Sequence, residues 1–290
     1  MYKIAHISDL HISYSDENGN GKKLVELLKD ISGRNCDHLV ITGDLVENPE
    51  TKDLVFVKEI LSHFDFTDEL RLSIVPGNHD IFGGAKKGLD EGLFFSSVCK
   101  NIDFKENTEN FIDIFKESFP EQETFPYLKL INNIAIIGIN SVGEWSADDN
   151  PEGSNGIIKS EDMLKMKKIL SSEELKGKYI LVLLHHHLYK EKLREDLPKH
   201  SLWLKTISYK MKLHDRKKIL ELFKKYKVNL VLHGHTHISE VYNVNGISVV
   251  NSSASAAPLT DDQVRKYNII NLPGESDTEK VIEIETIVLK

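Results

Sequence analysis

The sequence predicts an α/β fold in which the central strands run parallel. Strand and helix patterns alternate through the first eighty residues, and each strand candidate is a short apolar run followed by a turn containing Asp, Gly or Pro. The helix candidates place apolar residues three and four positions apart, which is the spacing of one helix face. Strands that alternate with helices at these lengths form βαβ units, and such units build parallel sheets.

The elements can be assigned in order from the N-terminus. The first helix is the clearest, because Leu24, Leu27 and Leu28 recur at the helical spacing. The same criteria predict strands over 2–8, 36–41 and 70–75, separated by helices over 21–32 and 52–63. Further along they predict helices near 93–100, 110–117, 161–170 and 216–226, a hairpin of 127–131 and 134–140, and strands over 179–184, 228–232, 241–244, 247–251, 267–272 and 281–288.

Composition places the chain among compact globular proteins. Hydrophobic residues make up 40% and charged residues 28%, and no repeat or linker interrupts the sequence, so one domain over residues 1–290 is expected. The apolar runs are far shorter than the ~20 residues of a membrane span. No secretory pattern opens the chain, and two cysteines fit a reducing compartment. These features predict a cytoplasmic protein that makes no membrane contact.

The charge distribution bears on the partners of the protein. A formal net charge of −8 argues against nucleic acid as a partner, because proteins that bind the phosphate backbone are usually basic. Between residues 187 and 227, however, thirteen Lys or Arg stand against five acidic residues. This basic stretch either draws an anionic substrate towards a nearby site or only keeps helix surfaces solvated. The sequence gives no indication of the oligomeric state.

Polar residues that bind metals follow five of the predicted strands. They form the clusters Asp9-Leu10-His11, Gly43-Asp44, Gly77-Asn78-His79-Asp80, His185-His186-His187 and His233-Gly234-His235-Thr236-His237. In open parallel sheets, ligands bind beyond the carboxyl ends of the strands. We therefore expect these side chains to meet in one site, although they are spread over more than two hundred residues.

The residue types in these clusters indicate a metal site. Asp and neutral His supply oxygen and nitrogen donors without a thiolate, a set that suits Mn²⁺, Fe or Zn²⁺. In the Asp-x-His and His-x-His spacings, alternate side chains of an extended segment point the same way. Gly43, Gly77 and Gly234 allow the backbone to turn tightly beside the ions. A single Asp or His at a strand end is usually a cap, but five such clusters in order are not explained in that way.

The five clusters resemble the signature blocks of the calcineurin-like metallophosphoesterases in order and approximate spacing. The matching residues are Asp9-x-His11, Gly43-Asp44, Gly77-Asn78-His79-Asp80, His185 and Gly234-His235-x-His237, and the resemblance spans about residues 3–253. It implies the fold of that family, a four-layered α/β/β/α sandwich with mixed sheets. It also implies two divalent or trivalent metal ions, drawn from Mn²⁺, Fe²⁺/Fe³⁺ and Zn²⁺.

The resemblance assigns a role to each matching position. One ion would be held by Asp9, His11 and His237, the second by Asn78, His185 and His235, and Asp44 would bridge the two. His79 matches the acid of the family, and Asp80 would orient the His79 imidazole, so these are the expected catalytic residues. His185 is favoured as the ligand of its triplet because it directly follows the strand. His186 or His187 would then support the ligands or lie exposed.

The implied reaction is hydrolysis of a phosphoester bond. Two cations lower the pKa of a water between them, supply hydroxide near neutral pH and neutralise phosphoryl charge during in-line displacement. As an imidazolium, His79 would hydrogen-bond the phosphate and protonate the leaving oxygen.

Differences between this sequence and the motifs of individual subgroups narrow the range of expected substrates. Glu47 stands where the purple acid phosphatases place a metal-binding tyrosine, and the residues after Asp44 lack the Val-Asp-Arg-Gly of the large Ser/Thr protein phosphatases. The lipid A pathway pyrophosphatases have Arg where His79 stands. The chain is most similar to the compact bacterial cyclic-nucleotide phosphodiesterases, which also show three consecutive histidines. A phosphodiesterase that acts on a small substrate, with a nucleotide as one option, is therefore expected.

Three alternatives remain open at this point. A phosphomonoesterase or protein phosphatase of the same family differs mainly in what fills the pocket beside the metals, and a nuclease requires a longer basic track. A non-catalytic metal-binding scaffold usually lacks a ligand or the acid, whereas here all are present. Residues 82–126 and 187–218 are expected to be insertions that wall the pocket.

Overall fold

Two β-sheets with helices on their outer faces make up the described part of the protein. The computed structural model describes residues 1–15, 19–84, 91–121, 124–188, 211–256, 264–274 and 281–289, with the backbone alone for residues 91–95.

The first sheet combines three strands from the N-terminal quarter of the chain with two strands from its end. Its strands are β1 (Tyr2–Ile7), β2 (His38–Thr42), β3 (Leu72–Val75), β10 (Lys266–Leu272) and β11 (Glu283–Val288). They lie in the order β11-β10-β1-β2-β3, with β1, β2 and β3 parallel and the other two pairings antiparallel. Ala5 pairs with Leu39, and Leu39 with Leu72, so the carboxyl ends of the parallel strands lie side by side.

The second sheet is also mixed. Its strands are β4 (Tyr127–Ile131), β5 (Ile134–Gly138), β6 (Tyr179–Leu183), β7 (Leu230–His233), β8 (Glu240–Val244) and β9 (Ile247–Asn251). They lie in the order β4-β5-β6-β7-β9-β8, in which β5, β6, β7 and β9 are parallel and the edge strands antiparallel. Leu181 pairs with both Ile136 and Leu230, which aligns the carboxyl ends of β6 and β7.

Most helices lie close to the positions predicted from the sequence. They are α1 (Asn20–Gly33), α2 (Thr51–Ser62), α3 (Asn78–Ile81), α4 (Glu91–Lys100), α5 (Phe104–Ile114), α6 (Ser160–Leu170) and α7 (Arg216–Lys225), with 3₁₀ turns at Lys116–Ser118 and Glu173–Leu175. Helix α5 begins at Phe104 rather than near residue 110. The reason is its cap, because the Asp103 carboxylate accepts a hydrogen bond from the backbone N–H of Glu106 at 2.9 Å.

Alternating side chains of the second sheet belong to two different cores. Leu181 and Leu230 lie in a core shared with the first sheet and with the apolar faces of α1 and α2. Val182 and Val231, on the opposite face, pack with the buried side chains of α6 and α7. The layers therefore run helix, sheet, sheet, helix, and the expected α/β/β/α sandwich with mixed sheets is confirmed.

Other expectations concern the chain outside these layers. Helices α4 and α5 belong to the expected insertion over 82–126, of which residues 85–90 and 122–123 lie outside the described residues. Of the expected insertion over 187–218, residues 189–210 also lie outside them, together with many of the basic residues. None of the described helices combines the length and apolarity that crossing a bilayer requires.

Candidate dinuclear metal centre

The strand-end clusters lie at the same edge of the two sheets. The seven expected metal ligands follow β1, β2, β3, β6 and β7 in turn: Asp9, His11, Asp44, Asn78, His185, His235 and His237. Backbone hydrogen bonds join the loops, with the N–H of Asp9 donating to Gly43 at 3.1 Å and that of Gly234 to His185 at 3.1 Å. The N–H of His235 donates to Oδ1 of Asp9 at 3.0 Å, which links the two sheets directly.

Four of these side chains form a first group of donor atoms. Nε2 of His11 lies 3.1 Å from Nε2 of His237, and the latter atom lies 3.4 Å from Oδ1 of Asp9. Oδ2 of Asp44 lies 3.9 Å from Nε2 of His11. One donor atom from each of the four lies within 4.8 Å of the others. Asp9, His11 and Asp44 are buried, and His237 is only partly exposed.

A second group of donors lies beside the first. Nε2 of His185 is 3.3 Å from Oδ2 of Asp44 and 3.0 Å from Nδ1 of His235. Oδ1 of Asn78 lies 3.2 Å from the same His185 nitrogen. All four side chains are buried. The second group therefore contains the other expected ligands and shares one carboxylate with the first.

Asp44 is the shared carboxylate, and its charge organises the site. Its Oδ1 accepts a hydrogen bond from the backbone N–H of His79 at 2.8 Å, while Oδ2 faces His11 and His185. Burial opposes ionisation of Asp44, but His185 and His79 hold the pKa of this carboxyl well below its usual range. Burial likewise opposes protonation of His185, yet Asp44 raises the pKa of that imidazole to about 9. The site therefore stabilises positive charge, as a cation site must.

The backbone at the expected ligands is strained. Asp9, His11, Asp44, His235 and His237 all have φ between 47° and 75°. This left-handed region costs a residue with a side chain on the order of 1–3 kcal/mol and persists where the surroundings impose it, typically at functional sites. Five of the seven expected ligands share this conformation, which supports a functional role independently of the side-chain distances.

Two glycines allow the loops to approach the carboxylates. A Cβ on Gly77 would collide with the side chain and backbone nitrogen of Asp44, and one on Gly234 would collide with Ser8 and the carboxylate of Asp9. Only Gly43, of the three glycines that the sequence analysis singled out, has a positive φ (93°). At Gly77 and Gly234, the absence of a side chain therefore serves close approach rather than an unusual turn.

Neighbouring groups orient the histidine triplet. Nδ1 of His185 lies 2.7 Å from the carbonyl oxygen of Thr42, which only accepts hydrogen bonds, so Nδ1 carries a proton and Nε2 is the nitrogen that faces the donor groups. His186 and His187 are both buried, and their ring centroids lie 4.5 Å and 6.3 Å from that of His235. The alternative that one of them lies exposed is wrong, because both are buried beside the expected ligand His235.

His79 lies beside the donor groups, but Asp80 does not orient its imidazole as expected. The buried Asp80 carboxylate accepts hydrogen bonds from the backbone N–H groups of Gly77 at 2.8 Å and Val46 at 3.1 Å. It therefore closes the first turn of α3 and ties that turn to the loop after β2. Nδ1 of His79 lies 3.2 Å from the carbonyl oxygen of Glu47 instead.

Glu47 is a site residue that the sequence analysis did not identify. Its Oε2 lies 3.2 Å from Nδ1 of His11, and its Oε1 lies 3.9 Å from Nδ1 of His79. In the sequence, this position is notable for the absence of a metal-binding tyrosine. A further signal lies in its spacing, because a residue three positions after Asp44 in a strand-end loop must lie near the same edge of the sheet.

The donor set fits a pair of metal ions. The imidazole nitrogens of His11 and His237, and those of His185 and His235, face each other at 3.1 Å and 3.0 Å, so each pair requires a proton or another cation between them. Two of the three metal-competent groups in the described residues share Asp44. Oxygen and nitrogen donors without a thiolate suit Mn²⁺, Fe or Zn²⁺.

Comparison with known proteins identifies the family. The family model of the calcineurin-like phosphoesterases matches residues 2–239, a range that contains both groups of donors. The protein belongs to this family. It is therefore a metallophosphoesterase, a hydrolase of phosphoester bonds, and the family depends on a dinuclear metal centre.

Relatives of this metallophosphoesterase match nearly its whole length. A "probable cyclic nucleotide phosphodiesterase" from Vesicomyosocius okutanii subsp. Calyptogena okutanii is 23% identical over 275 residues, covering 93% of this chain and 94% of the relative. A protein of the same description from Ruthia magnifica subsp. Calyptogena magnifica is 23% identical over 271 residues, covering 92% of each. A solved dimetal phosphatase from Danio rerio superposes with a TM-score of 0.61 over 99% of this chain and 98% of its own, at 12% identity, which supports the fold.

Proposed function

We propose that this metallophosphoesterase is a phosphodiesterase that hydrolyses a small phosphodiester, with nucleotides as the preferred class of substrate. The observation that carries the hydrolytic reaction is the Asp44 carboxylate, which belongs to two groups of donors and accepts a hydrogen bond from the backbone N–H of His79. The two relatives described as probable cyclic nucleotide phosphodiesterases support the choice of substrate class, because the similarity extends over more than nine-tenths of each chain.

The seven ligands divide between two ions. Asp9, His11 and His237 would hold one ion, Asn78, His185 and His235 the other, and Asp44 would contact both. We propose Mn²⁺, Fe²⁺/Fe³⁺ or Zn²⁺ for these positions because of the donor types. When bound, two such cations lower the pKa of water and neutralise the charge of a phosphoryl group during in-line displacement.

His79 is the proposed acid for the leaving oxygen. With Nδ1 directed at the carbonyl of Glu47, a protonated ring has Nε2–H left to donate to the substrate. Burial lowers the pKa of His79, and Asp44 opposes that shift. A phosphodiester anion beside the ring favours the imidazolium in the same way as Asp44, so substrate binding helps to protonate the acid.

A substrate screen of the protein reconstituted with Mn²⁺ tests this function. We expect bis(p-nitrophenyl) phosphate and cyclic nucleotides to be hydrolysed with higher kcat/KM than p-nitrophenyl phosphate or pyrophosphate. The Asp44→Asn variant, measured in parallel, should lose both metals and all turnover, since both ions depend on that carboxylate.

The alternatives predict different outcomes of the same screen. Preference for monoesters would contradict the proposal and indicate a phosphomonoesterase or protein phosphatase. Cleavage of oligonucleotides in preference to small diesters would indicate a nuclease. Two bound metals without turnover of any substrate would indicate a metal-binding scaffold.

A further inference from the structure

We propose that Glu47 is a positioning residue that serves two histidines through two different groups. Its carboxylate directs Nε2 of His11 towards one of the two metal positions, and its backbone carbonyl separately positions His79. This inference rests on the proposed dinuclear centre and assigns Glu47 to one of its two ions.

The geometry around His11 defines which nitrogen faces the metal. Nε2 lies 3.1 Å from Nε2 of His237 and therefore faces the donor group, while Nδ1 lies 3.2 Å from Oε2 of Glu47. An ionised carboxylate only accepts hydrogen bonds, and a neutral imidazole donates through one nitrogen and accepts through the other. With its proton on Nδ1 towards Glu47, His11 presents a lone pair on Nε2 to a metal ion.

Residue 47 is held in place by the backbone rather than by its own side chain. Its N–H donates to the carbonyl of Ile12 at 3.0 Å, and its carbonyl accepts from the N–H of Gly84 at 2.9 Å. A Cβ on Gly84 would collide with Oε1 of Glu47, so the glycine keeps space for the carboxylate. The Glu47 side chain is 39% exposed, and its removal therefore leaves no large buried cavity.

Residue 47 contacts the two histidines through different groups, His11 through its carboxylate and His79 through its backbone carbonyl. The carboxylate is 3.2 Å from His11 but 3.9 Å from His79, whereas the backbone carbonyl is 3.2 Å from Nδ1 of His79. Substitution of the side chain therefore removes the partner of His11 and keeps that of His79.

At the second metal position, the corresponding histidine is oriented by the backbone rather than by a side chain. Nδ1 of His185 is directed at the backbone carbonyl of Thr42, at 2.7 Å. No substitution of the Thr42 side chain removes that acceptor. A change of the Glu47 side chain is therefore expected to weaken the binding of the ion held with His11 and to leave the binding of the other ion unchanged.

Titration calorimetry with Mn²⁺ on the metal-free protein tests this asymmetry. In Glu47→Ala we expect one of the two affinities to fall about 10–100-fold, the range for loss of a partner of a metal-binding histidine, while the other stays unchanged. Glu47→Gln keeps a neutral acceptor and should lie between wild type and Glu47→Ala. Glu50→Gln, which neutralises an exposed carboxylate paired with Lys52, is the matched control and should bind both ions as wild type does.

Two further measurements separate this proposal from the proposed function. ¹H–¹⁵N spectra of the metal-free protein should show a proton on Nδ1 of His11 beside Glu47, and Glu47→Ala should shift this Nδ1 resonance and speed the exchange of its proton with water. At saturating Mn²⁺, a dependence of kcat on the leaving group should persist in Glu47→Ala, because the backbone carbonyl of residue 47 still accepts from Nδ1 of His79. Unchanged affinities together with an unchanged Nδ1 resonance in Glu47→Ala, or equal weakening of the binding of both ions, would overturn the role of Glu47. Failure of the wild type to bind two ions would instead overturn the dinuclear centre.

Discussion

Two histidines of the candidate metal centre have one ring nitrogen directed at the donor groups and the other beside a neighbouring acceptor. His185 is oriented by the carbonyl of Thr42, and His11 faces the carboxylate of Glu47. The inward nitrogens lie beside the Asp44 carboxylate, which attracts protons and metal ions alike. Because metal ions must displace protons from these nitrogens, we expect metal binding to release protons and to weaken as the pH falls.

The His79→Ala variant tests the proposed acid at the scale of a single residue. We expect both metals to remain bound and turnover to fall by about 10²–10⁴, with the larger loss for esters of weakly acidic alcohols, because these need the proton most. Metal content and kcat for a series of substituted phenyl esters measure the two effects. His63→Ala, which removes an exposed imidazole, is the control. Loss of metal from His79→Ala, or an equal loss of rate with every leaving group, would contradict this role.

The sequence could predict which residues meet, but not every contact between them. The seven expected ligands could be proposed because each follows a predicted strand, and the structure places their donor atoms close together. From the family resemblance, Asp80 was expected to orient the imidazole of His79. A single helical turn directs the Asp80 carboxylate at backbone N–H groups instead, and Glu47, 32 residues from His79, supplies the contact through its carbonyl. Local sequence order does not specify such contacts between loops.

At the scale of elements, short parallel strands place their following loops at one edge. Loop backbones then approach one another so closely that glycine is required at Gly77 and Gly234. The strands and most helices could be predicted to within a few residues, because their spacing is local. The order of the strands could not be predicted in the same way. Tertiary packing, rather than local spacing, places β9 between β7 and β8 and pairs β10 with β1.

Gly234→Ala tests the close approach of the loop after β7. We expect it to displace the Asp9 carboxylate, to weaken metal binding and to lower the free energy of unfolding by about 1–3 kcal/mol, as overpacking does. Gly33→Ala at the end of α1 is the matched control, because a Cβ there meets no atom within 4 Å. Denaturant unfolding and Mn²⁺ titration measure the two effects. Wild-type stability and metal affinity in Gly234→Ala would show that the loop has room for a side chain.

At the scale of the whole molecule, a buried lysine connects the edges of the two sheets. Lys129 of β4 is 4% exposed, and its ammonium group donates to the carbonyl of Leu72 at the start of β3, away from the metal centre. Its Nζ lies 5.4 Å from the centroid of the Tyr127 ring. Burial lowers the pKa of Lys129 to about 7, and the nearby Glu69 and Asp68 offset this only in part.

This lysine predicts a pH dependence of stability. Between pH 7 and the usual lysine pKa of about 10.4, the unfolded chain binds more protons than the folded one, so the contribution of Lys129 to stability rises with pH, by at most ~1.4 kcal/mol per pH unit. In Lys129→Met this rise should be absent. Denaturant unfolding of the metal-free protein from pH 7 to 10 measures it, with Lys105→Met, an exposed lysine, as the control. Parallel stability curves for wild type and Lys129→Met would contradict the assignment.

The overall architecture could be predicted because the strand-end motifs belong to a family with one fold, which the sheet topology and the family match confirm. The substrate could not be predicted to the same depth. The two donor groups and His79 present the same chemistry to phosphomonoesters and phosphodiesters, so the motifs define the reaction class and the surrounding pocket defines the substrate.

Anomalous diffraction from crystals grown with Mn²⁺ tests the central claim most directly. Two anomalous peaks about 3.5–4 Å apart are predicted, one within coordinating distance of Asp9, His11 and His237, and the other of Asn78, His185 and His235. Both peaks should lie within reach of Asp44. A single peak, or a second ion bound away from these side chains, would contradict the account.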